Sequence, residues 1–272
     1  MPQATTLTPE SRFIALFVGP KHSGKTCAAC SWRTNKRIKV LDGDGRIRGL
    51  LGAPWIDRSQ IDYSYFPPHD TLKFFERVNK DLDALELQSK IPGQNFYETF
   101  VCDSLTSFCA NLISDSLPLT HADGKGKHIG NMSMAGPEDY GFESTGVSQF
   151  LAGLRSLPLN LIVTAHIVPK YDKPLIQTSS GRTIKDSYAE SIQIGEKLSL
   201  RDKIGANSMI YFDHIFRFDR RIVNNEERFF VEYISDIACT SFPGLKPGVH
   251  DITGKDFRSY TLNLLHKGEP KE

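Results

Sequence analysis

Residues 13–26 read FIALFVGPKHSGKT, an apolar run followed by a glycine-rich loop. The six apolar residues are typical of a strand that is buried on both faces of a parallel sheet. The eight residues that follow fit G-x-x-x-x-G-K-[ST] at every fixed position, and a helix is predicted to begin near Gly24. In this order of strand, loop and helix, the backbone N–H groups of the loop turn toward an anion and the helix N-terminus adds its positive end. The stretch therefore predicts a phosphate-binding loop.

The motif predicts ATP and Mg²⁺ as cofactors. Lys25 is expected to contact the β- and γ-phosphates and to take part in catalysis, and the Thr26 hydroxyl is expected to bind Mg²⁺. A glycine turn with a solvated lysine is the alternative. The residues predicted to bind the nucleotide are Gly19, Pro20, Lys21, His22, Ser23, Gly24, Lys25, Thr26 and Cys27.

Three further predicted strands end in polar residues that suit the same chemistry. Asp103 is predicted to bind Mg²⁺ beside Thr26, with an N-cap of the next helix as the alternative. A serine follows Asp103 where many ATPases have a glutamate, so the catalytic base must come from elsewhere. Asp44 is the candidate base for the attacking water, although a solvated Asp-Gly turn is the alternative. His166 is the third candidate catalytic residue, as a sensor of the γ-phosphate, against a merely structural histidine.

The composition excludes several classes of protein. The 272 residues carry 33 Lys and Arg against 32 Asp and Glu, a net charge of +1, so there is no global basic field to favour nucleic acid. A hydrophobic content of 39% argues against a disordered or fibrous chain. No apolar run approaches the ~18 residues of a membrane span, and the polar N-terminus lacks a secretory signal, so we expect no membrane partner and a cytoplasmic location. The five cysteines are expected to be mostly buried thiols, not disulfides or zinc ligands.

The rest of the sequence alternates apolar strands with amphipathic helices. This order predicts one α/β domain over residues 1–272, with a mainly parallel sheet flanked by helices and a core over residues 13–218. Residues 219–272 are expected to form a hairpin strand and an irregular C-terminal extension, with antiparallel pairing across Asn224-Asn225. Two polar stretches are predicted to be long loops, residues 118–137 and 168–208.

The order of these strand ends resembles the RecA core of P-loop ATPases. The phosphate-binding strand is followed by strands that end in Asp42-Gly43-Asp44, in Asp103-Ser104 and in His166. The sequence is most similar to the small phage RecA-like proteins, whose proposed work is single-strand annealing in recombination. The resemblance implies a RecA-like P-loop NTPase core, a weak ATPase that DNA stimulates, and the host cytoplasm as location. Asp44 departs from the family's usual glutamate, and the N-terminal domain that recombinases use for filament packing is expected to be missing.

The resemblance also implies that the two predicted loops line a DNA channel. The alternative is that both are ordinary solvated loops. Single-stranded DNA is therefore the expected partner, together with further copies of the chain in a ring or filament and a single-strand-binding protein or nuclease. The candidate DNA-binding residues are Lys125, Lys127, Lys170, Lys173, Arg182 and Lys185.

Two other functions stay open. A DNA motor, such as a helicase, loader or packaging ATPase, would use the same core with a trans-acting arginine, for which Arg217, Arg220 and Arg221 are candidates. A nucleotide-gated adaptor would hold ATP without hydrolysing it because Asp44 is short. Small-molecule kinases share the phosphate-binding loop, but the sequence marks no acceptor site.

Overall fold

The computed structural model describes residues 12–66, 74–91, 97–120, 127–129, 132–177, 183–185, 189–235, 237–240, 245 and 248–267. Within these ranges the helices are α1 (Lys25–Cys30), α2 (Phe74–Lys90), α3 (Leu105–Thr120), α4 (Pro137–Ser156), α5 (Asp202–Met209) and α6 (Phe257–Lys267), with 3₁₀ turns at Ile47–Gly52 and Arg58–Gln60. The strands are β1 (Ile14–Gly19), β2 (Arg37–Asp42), β3 (Ile61–Tyr65), β4 (Tyr97–Asp103), β5 (Lys127–Ile129), β6 (Met132–Met134), β7 (Asn160–Asp172), β8 (Leu175–Gln177), β9 (Thr183–Lys185), β10 (Ile192–Leu198), β11 (His214–Val223), β12 (Glu226–Glu232), β13 (Cys239–Thr240) and β14 (Val249–Asp251).

The main sheet has the order β14-β12-β11-β1-β7-β4-β2-β3, with β10 added beside β7 and β13 beside β11. The pairs from β11 to β3 along this order are parallel, whereas β12, β14, β10 and β13 pair antiparallel. This confirms the predicted α/β class, with a mainly parallel sheet, flanking helices and an antiparallel C-terminal extension. The carboxyl ends of β1, β7, β4 and β2 therefore lie side by side, which is where the predicted site residues stand.

The hydrophobic core has two parts, one on each face of the sheet. Leu16 and Val18 of β1 belong to the part that packs against α2, α3 and α4. Phe17 faces the other way and contacts the rings of Phe216 and Phe257, beside α1 and α6. Because side chains alternate along a strand, a strand covered on both faces must be apolar throughout. This is the physical reason for the continuous apolar run that precedes the phosphate-binding loop.

The predicted loops are largely wrong where the structure describes them. In residues 118–137, α3 continues to Thr120, β5 and β6 pair antiparallel, and α4 begins at Pro137. In residues 168–208, β7 continues to Asp172, β10 pairs with it antiparallel, β8 pairs with β9, and α5 follows. Tyr171 of β7 and Ile192 and Ile194 of β10 are 59%, 53% and 49% exposed, so this part of the β7–β10 pair lacks the buried apolar face that marks a strand in the sequence.

The C-terminal region is more regular than predicted. The hairpin across Asn224-Asn225 is confirmed, and both residues have positive φ angles, 52° and 63°, as a tight hairpin turn requires. The irregular extension is wrong in part, because β14 pairs with β12 and the helix α6 follows. Phe257 and Leu262 of α6 pack into the second part of the core. Every helix in the described part of the chain is too short or too polar to span a bilayer.

The pH dependence of stability tests the burial of His214. This ring is 4% exposed and lies 5.2 Å from the ring of Phe13, and burial lowers its pKa to about 4 although Asp213 acts in the opposite direction. Between pH 6.5 and pH 4 the unfolded chain therefore binds a proton that the folded protein does not, so stability falls as the pH is lowered. We expect His214 to contribute a loss of about 3 kcal/mol between pH 7 and pH 4.

Urea unfolding at the two pH values measures this loss. The variant His214→Gln has no titrating group at this position, so its free energy of unfolding should fall by about 3 kcal/mol less than that of the wild type. Equal losses in both proteins would contradict the assignment.

Candidate nucleotide-binding site

The phosphate-binding loop connects the end of β1 to the start of α1. Gly24 has a φ of 87°, in the left-handed region that favours glycine, and directly precedes α1. A Cβ atom built on Gly19 would lie 2.3 Å from the carbonyl oxygen of Phe218 in the neighbouring strand β11. The two glycines of the motif thus have different roles. Gly24 allows the sharp turn into the helix, and Gly19 allows the start of the loop to pack closely against β11.

Lys25 lies folded over its own loop. Its Nζ donates hydrogen bonds to the carbonyl oxygens of Gly19, at 2.9 Å, and Pro20, at 2.7 Å, and to Ser23 Oγ at 3.3 Å. Burial lowers the pKa of Lys25 to about 8, and the carboxylates of Asp103 and Asp44 offset part of that effect. The ammonium group is therefore held at the loop by neutral oxygens, which an anionic phosphate oxygen would replace with a stronger partner.

Asp103 is fully buried at the end of β4. Its Oδ2 accepts a hydrogen bond from Thr26 Oγ1 at 2.7 Å, and its Oδ1 accepts one from the hydroxyl of Thr164 in β7. Burial raises the pKa of Asp103, and these two hydrogen bonds offset only part of the rise. A buried carboxylate beside a hydroxyl is a pair of hard oxygen ligands, which fits Mg²⁺.

The protein supplies only part of a metal coordination sphere. Among the described residues, no cluster of three or more His, Cys, Asp and Glu side chains is placed to hold a metal ion. Magnesium sites that include substrate phosphates need just one or two protein ligands, because phosphate and water oxygens complete the octahedron. Thr26 and Asp103 thus fit a Mg²⁺ that arrives with a nucleotide.

Asp44 is held by side chains from three elements. His166 Nε2 lies 2.9 Å from Asp44 Oδ2, and the hydroxyls of Ser104, at 3.0 Å, and Ser107 donate to Oδ1. Burial acts to raise the pKa of Asp44, but the hydrogen bonds from His166 and Ser107 hold that pKa well below its usual range. Asp44 is therefore ionised at neutral pH, and His166 must be the donor in their pair.

The other carboxylate of the same segment has a structural role. Asp42 accepts hydrogen bonds from the backbone N–H groups of Arg46 and Ile47, each at 3.2 Å, and so caps the 3₁₀ turn that follows. The backbone N–H of Gly43 donates to the carbonyl oxygen of Asp103 at 2.7 Å. These bonds fix the segment between Asp42 and Arg46 against β4, which brings Asp44 to the site.

The predicted residues surround one cavity of about 250 Å³. His22, Ser23, Gly24, Lys25, Thr26 and Cys27 line it, as do Asp44, Asp103 and His166. Gly19, Pro20 and Lys21 do not line it: the first two offer carbonyl oxygens to Lys25, and Lys21 is exposed. Arg220, which the sequence offered only as a trans-acting arginine, also lines it, and sequence reasoning missed the other lining residues, which are Arg46, Gly49, Glu227 and Phe229.

A second cavity of about 270 Å³ adjoins the first. Its walls are mainly apolar, and Trp55 and Phe257 are among its lining residues. The Phe229 ring lies between the two cavities, where a Cβ atom built on Gly24 would be 3.1 Å from its Cδ1 atom. The residues that line both cavities are Gly24, Cys27, Gly49, Glu227 and Phe229.

Lys170, Lys173 and Lys185, three of the six candidate DNA-binding residues, line neither of these cavities. Lys125 and Arg182 lie outside the described residues, and for Lys127 only the strand position in β5 is described. Lys170 lies on β7, Lys173 directly follows it, and Lys185 lies on β9. The structure thus places three of the six on two antiparallel pairs, β7 with β10 and β8 with β9, or in the connection between β7 and β8; we call these four strands and that connection the arm.

Comparisons with known proteins give little further guidance. No protein-family model and no curated protein matches this sequence. Among solved structures, the chain is similar to the KaiC-like protein PH0186 from Pyrococcus horikoshii OT3, with 13% identity, 87% of this chain and 83% of that chain covered, and a TM-score of 0.46. The functional argument therefore depends on the geometry of the site itself.

Thiol reactivity tests the environment of the site. All five cysteines are free of disulfides; Cys239 is exposed, whereas Cys30, Cys102 and Cys109 are buried. Burial raises the pKa of Cys27, which lines both cavities, to about 11, so little thiolate is present at pH 8. We expect a thiol reagent such as Ellman's to react rapidly with one equivalent, and the Cys239→Ser variant to lack that fast phase. A fast phase that Cys27→Ser removes would contradict this environment.

Proposed function

We propose that this protein is a RecA-like ATPase that binds ATP and Mg²⁺ and acts on single-stranded DNA in phage homologous recombination, by annealing or strand pairing. The observation that supports the ATPase best is the meeting of three features in one cavity: the Lys25 ammonium, the Thr26–Asp103 pair and the Asp44–His166 pair. Each corresponds to one requirement of phosphoryl transfer, namely a phosphate ligand, a metal site and a group that orients water.

The residues of the site divide the work among them. Lys25 would bind the phosphate chain, and Thr26 with Asp103 would hold Mg²⁺, which neutralises phosphate charge when bound. The adjoining apolar cavity would take the adenosine, because flat aromatic and aliphatic surface suits a base. Asp44 is ionised and accepts hydrogen bonds, so its role is to orient the attacking water more than to remove a proton from it. We therefore propose slow hydrolysis.

His166 connects the nucleotide site to the arm. Its side chain contacts Asp44, and its carbonyl oxygen accepts a hydrogen bond from Ser199 N at 2.7 Å, just after β10. The strand β7 that contains His166 continues directly into the arm at Lys170. We propose that hydrolysis alters the contact between Asp44 and His166, that this alteration is transmitted along β7 to the arm, and that the affinity of the arm for DNA falls as a result.

The arm has the features of a surface for single strands. Tyr171 is 59% exposed and is flanked in sequence by the exposed Lys170 and, two residues on, by Lys173. An exposed aromatic ring among lysines allows a base to stack while the cations contact phosphates. Lys185 contributes less positive charge, because both oxygens of Asp172 accept hydrogen bonds from its Nζ at 2.7 Å.

An ATPase assay with and without single-stranded DNA tests the proposal. We expect the wild type to hydrolyse ATP slowly and single strands to accelerate it. Lys25→Ala should lose ATP binding, while Asp44→Asn should retain binding and lose at least about tenfold in turnover, because the variant no longer orients water with a carboxylate. Lys80→Ala, in which an exposed lysine of α2 is removed, serves as the control and should match the wild type.

Other outcomes would favour the alternative functions. Turnover that is indifferent to DNA would remove the recombination role and leave the nucleotide site in place. ATP-dependent DNA binding without phosphate release would indicate an adaptor, and directional unwinding of a duplex would indicate a motor.

Substitution of Tyr171 tests the DNA surface independently of the nucleotide. We expect Tyr171→Ala to weaken binding of a fluorescent oligothymidylate by about 1–3 kcal/mol, the usual contribution of one stacked base, in an anisotropy titration with ATP present. Tyr63→Ala is the matched control, because Tyr63 is 55% exposed on β3, an edge strand that is separated from β7 by β4 and β2. Equal losses in the two variants would contradict a DNA surface on the arm.

A further inference from the structure

The hairpin of β11 and β12 presents different arginines on its two faces. Arg220 is paired in register with Phe229, and Phe218 with Val231. Residues two apart on a strand share a face, so Arg220 and Phe229 lie on the same face as Phe218 and Val231, which are fully buried in the core beside α1. Arg221, one residue along, is on the opposite face.

The inner face of the hairpin packs directly on the phosphate-binding loop. The carbonyl oxygen of Phe218 lies close to Gly19, where an added Cβ atom would be 2.3 Å from it. The ring of Phe229 lies close to Gly24, where an added Cβ atom would be 3.1 Å from Cδ1 of that ring. Arg220 is the next inward-facing residue of β11 after Phe218, and it lines the cavity that Lys25 also lines. The same chain therefore supplies a guanidinium to its own phosphate cavity.

Arg220 is at present paired with an acid in the cavity wall. Its Nη1 donates to Glu227 Oε1 at 2.8 Å, and Glu227 lines both cavities. Both side chains are about half exposed, and an ion pair of this kind contributes little to stability. A polyphosphate presents a denser negative charge and a geometry that suits a guanidinium fork, so it can displace the glutamate.

The other two arginines of the hairpin are held elsewhere. Arg217 is 15% exposed and donates two hydrogen bonds to Glu196, at 2.6 and 2.8 Å. Arg221 donates to Asp219 at 2.9 Å and lies over the ring of Phe230. Of the three arginines that the sequence offered as trans-acting groups, Arg220 is thus the one that faces a nucleotide cavity, and that cavity belongs to its own chain.

We propose that Arg220 binds the phosphate chain of the nucleotide in cis, and that Glu227 holds Arg220 until the phosphate displaces it. This inference rests on the proposed nucleotide site and adds a phosphate ligand from outside the motif. Nucleotide binding is thereby coupled to the β11–β12 hairpin, because the phosphate replaces Glu227 as the partner of Arg220 when the ligand enters.

Calorimetric titration with ATP and with adenosine, in buffer that contains Mg²⁺, tests the proposal. Arg220→Ala should weaken ATP binding about tenfold, as expected for loss of one charge-assisted contact to phosphate, and leave adenosine binding unchanged. Glu227→Gln should tighten ATP binding by about threefold, because the competing carboxylate is removed. Arg221→Ala is the matched control: it is 44% exposed against 45% for Arg220, has an acidic partner at a similar distance, and should bind ATP like the wild type.

The outcomes separate this proposal from the proposed function. If Lys25→Ala loses ATP binding but Arg220→Ala binds like Arg221→Ala, the nucleotide site stands and the role of Arg220 is overturned. Weaker binding in Glu227→Gln would overturn the exchange between glutamate and phosphate. If the wild type binds no ATP, both proposals are rejected.

A mixing experiment decides between cis and trans action. Lys25→Ala and Arg220→Ala are combined and assayed for ATP hydrolysis. If Arg220 acts in cis, each site in the mixture still lacks one group, so turnover should not recover. Recovery would show that the arginine of one copy serves the site of another, and would overturn the cis assignment.

Discussion

The buried residue Asp103 connects the parts of the nucleotide site. Its carboxylate accepts hydrogen bonds from Thr26 at the start of α1 and from Thr164 in β7, and its carbonyl oxygen accepts the N–H of Gly43 after β2. A buried carboxylate is costly unless its oxygens have donors, so these partners cannot be removed without penalty. The ends of three strands and the first turn of the helix are thereby held at fixed positions, and Lys25, Asp44 and His166 are positioned by the same contacts.

The pKa values of three ionisable side chains in the site are shifted in directions that suit the proposed ligands. Burial raises the pKa of Asp103 and lowers that of Lys25, whereas hydrogen bonds lower the pKa of Asp44. An aspartate that is destabilised as an anion gains from a divalent cation, and a lysine that is held only by neutral oxygens gains from an anion. These directions support the proposed binding of a magnesium ion together with a phosphate, and environments that separate the properties of two carboxylates are typical of functional sites.

Many of the charged side chains are paired locally. On and beside the arm, Lys185 is neutralised by Asp172 and Lys197 by Asp202, and on the hairpin the arginines have acidic partners within the same sheet. What matters for a nucleic-acid partner is thus which cations and exposed rings share one segment, as Lys170, Tyr171 and Lys173 do, more than the sum over 272 residues. The proposed affinity for single strands is accordingly modest and sensitive to salt.

The features that could be predicted from sequence are those with a local signal. The apolar strand and glycine loop of residues 13–26, the strand that ends in Asp103 and the turn at Asn224-Asn225 each follow from a few neighbouring residues. The apolar start of β7 has the same kind of signal, but the strand does not end at His166 as predicted and continues to Asp172. The site residues Ser107 and Phe229 have no such signal, because their roles depend on contacts across more than 60 residues of chain, and the sequence offered Arg220 without showing which cavity it faces. The same holds for the arm: Ile192 and Ile194 of β10 are exposed and only its last residue, Leu198, is buried, so its pairing with β7 is specified by the folded sheet more than by its own pattern. Local sequence thus determined the phosphate-binding loop and its strand. Long-range contacts in the folded sheet placed Arg220, Phe229 and the serines Ser104 and Ser107 around that loop.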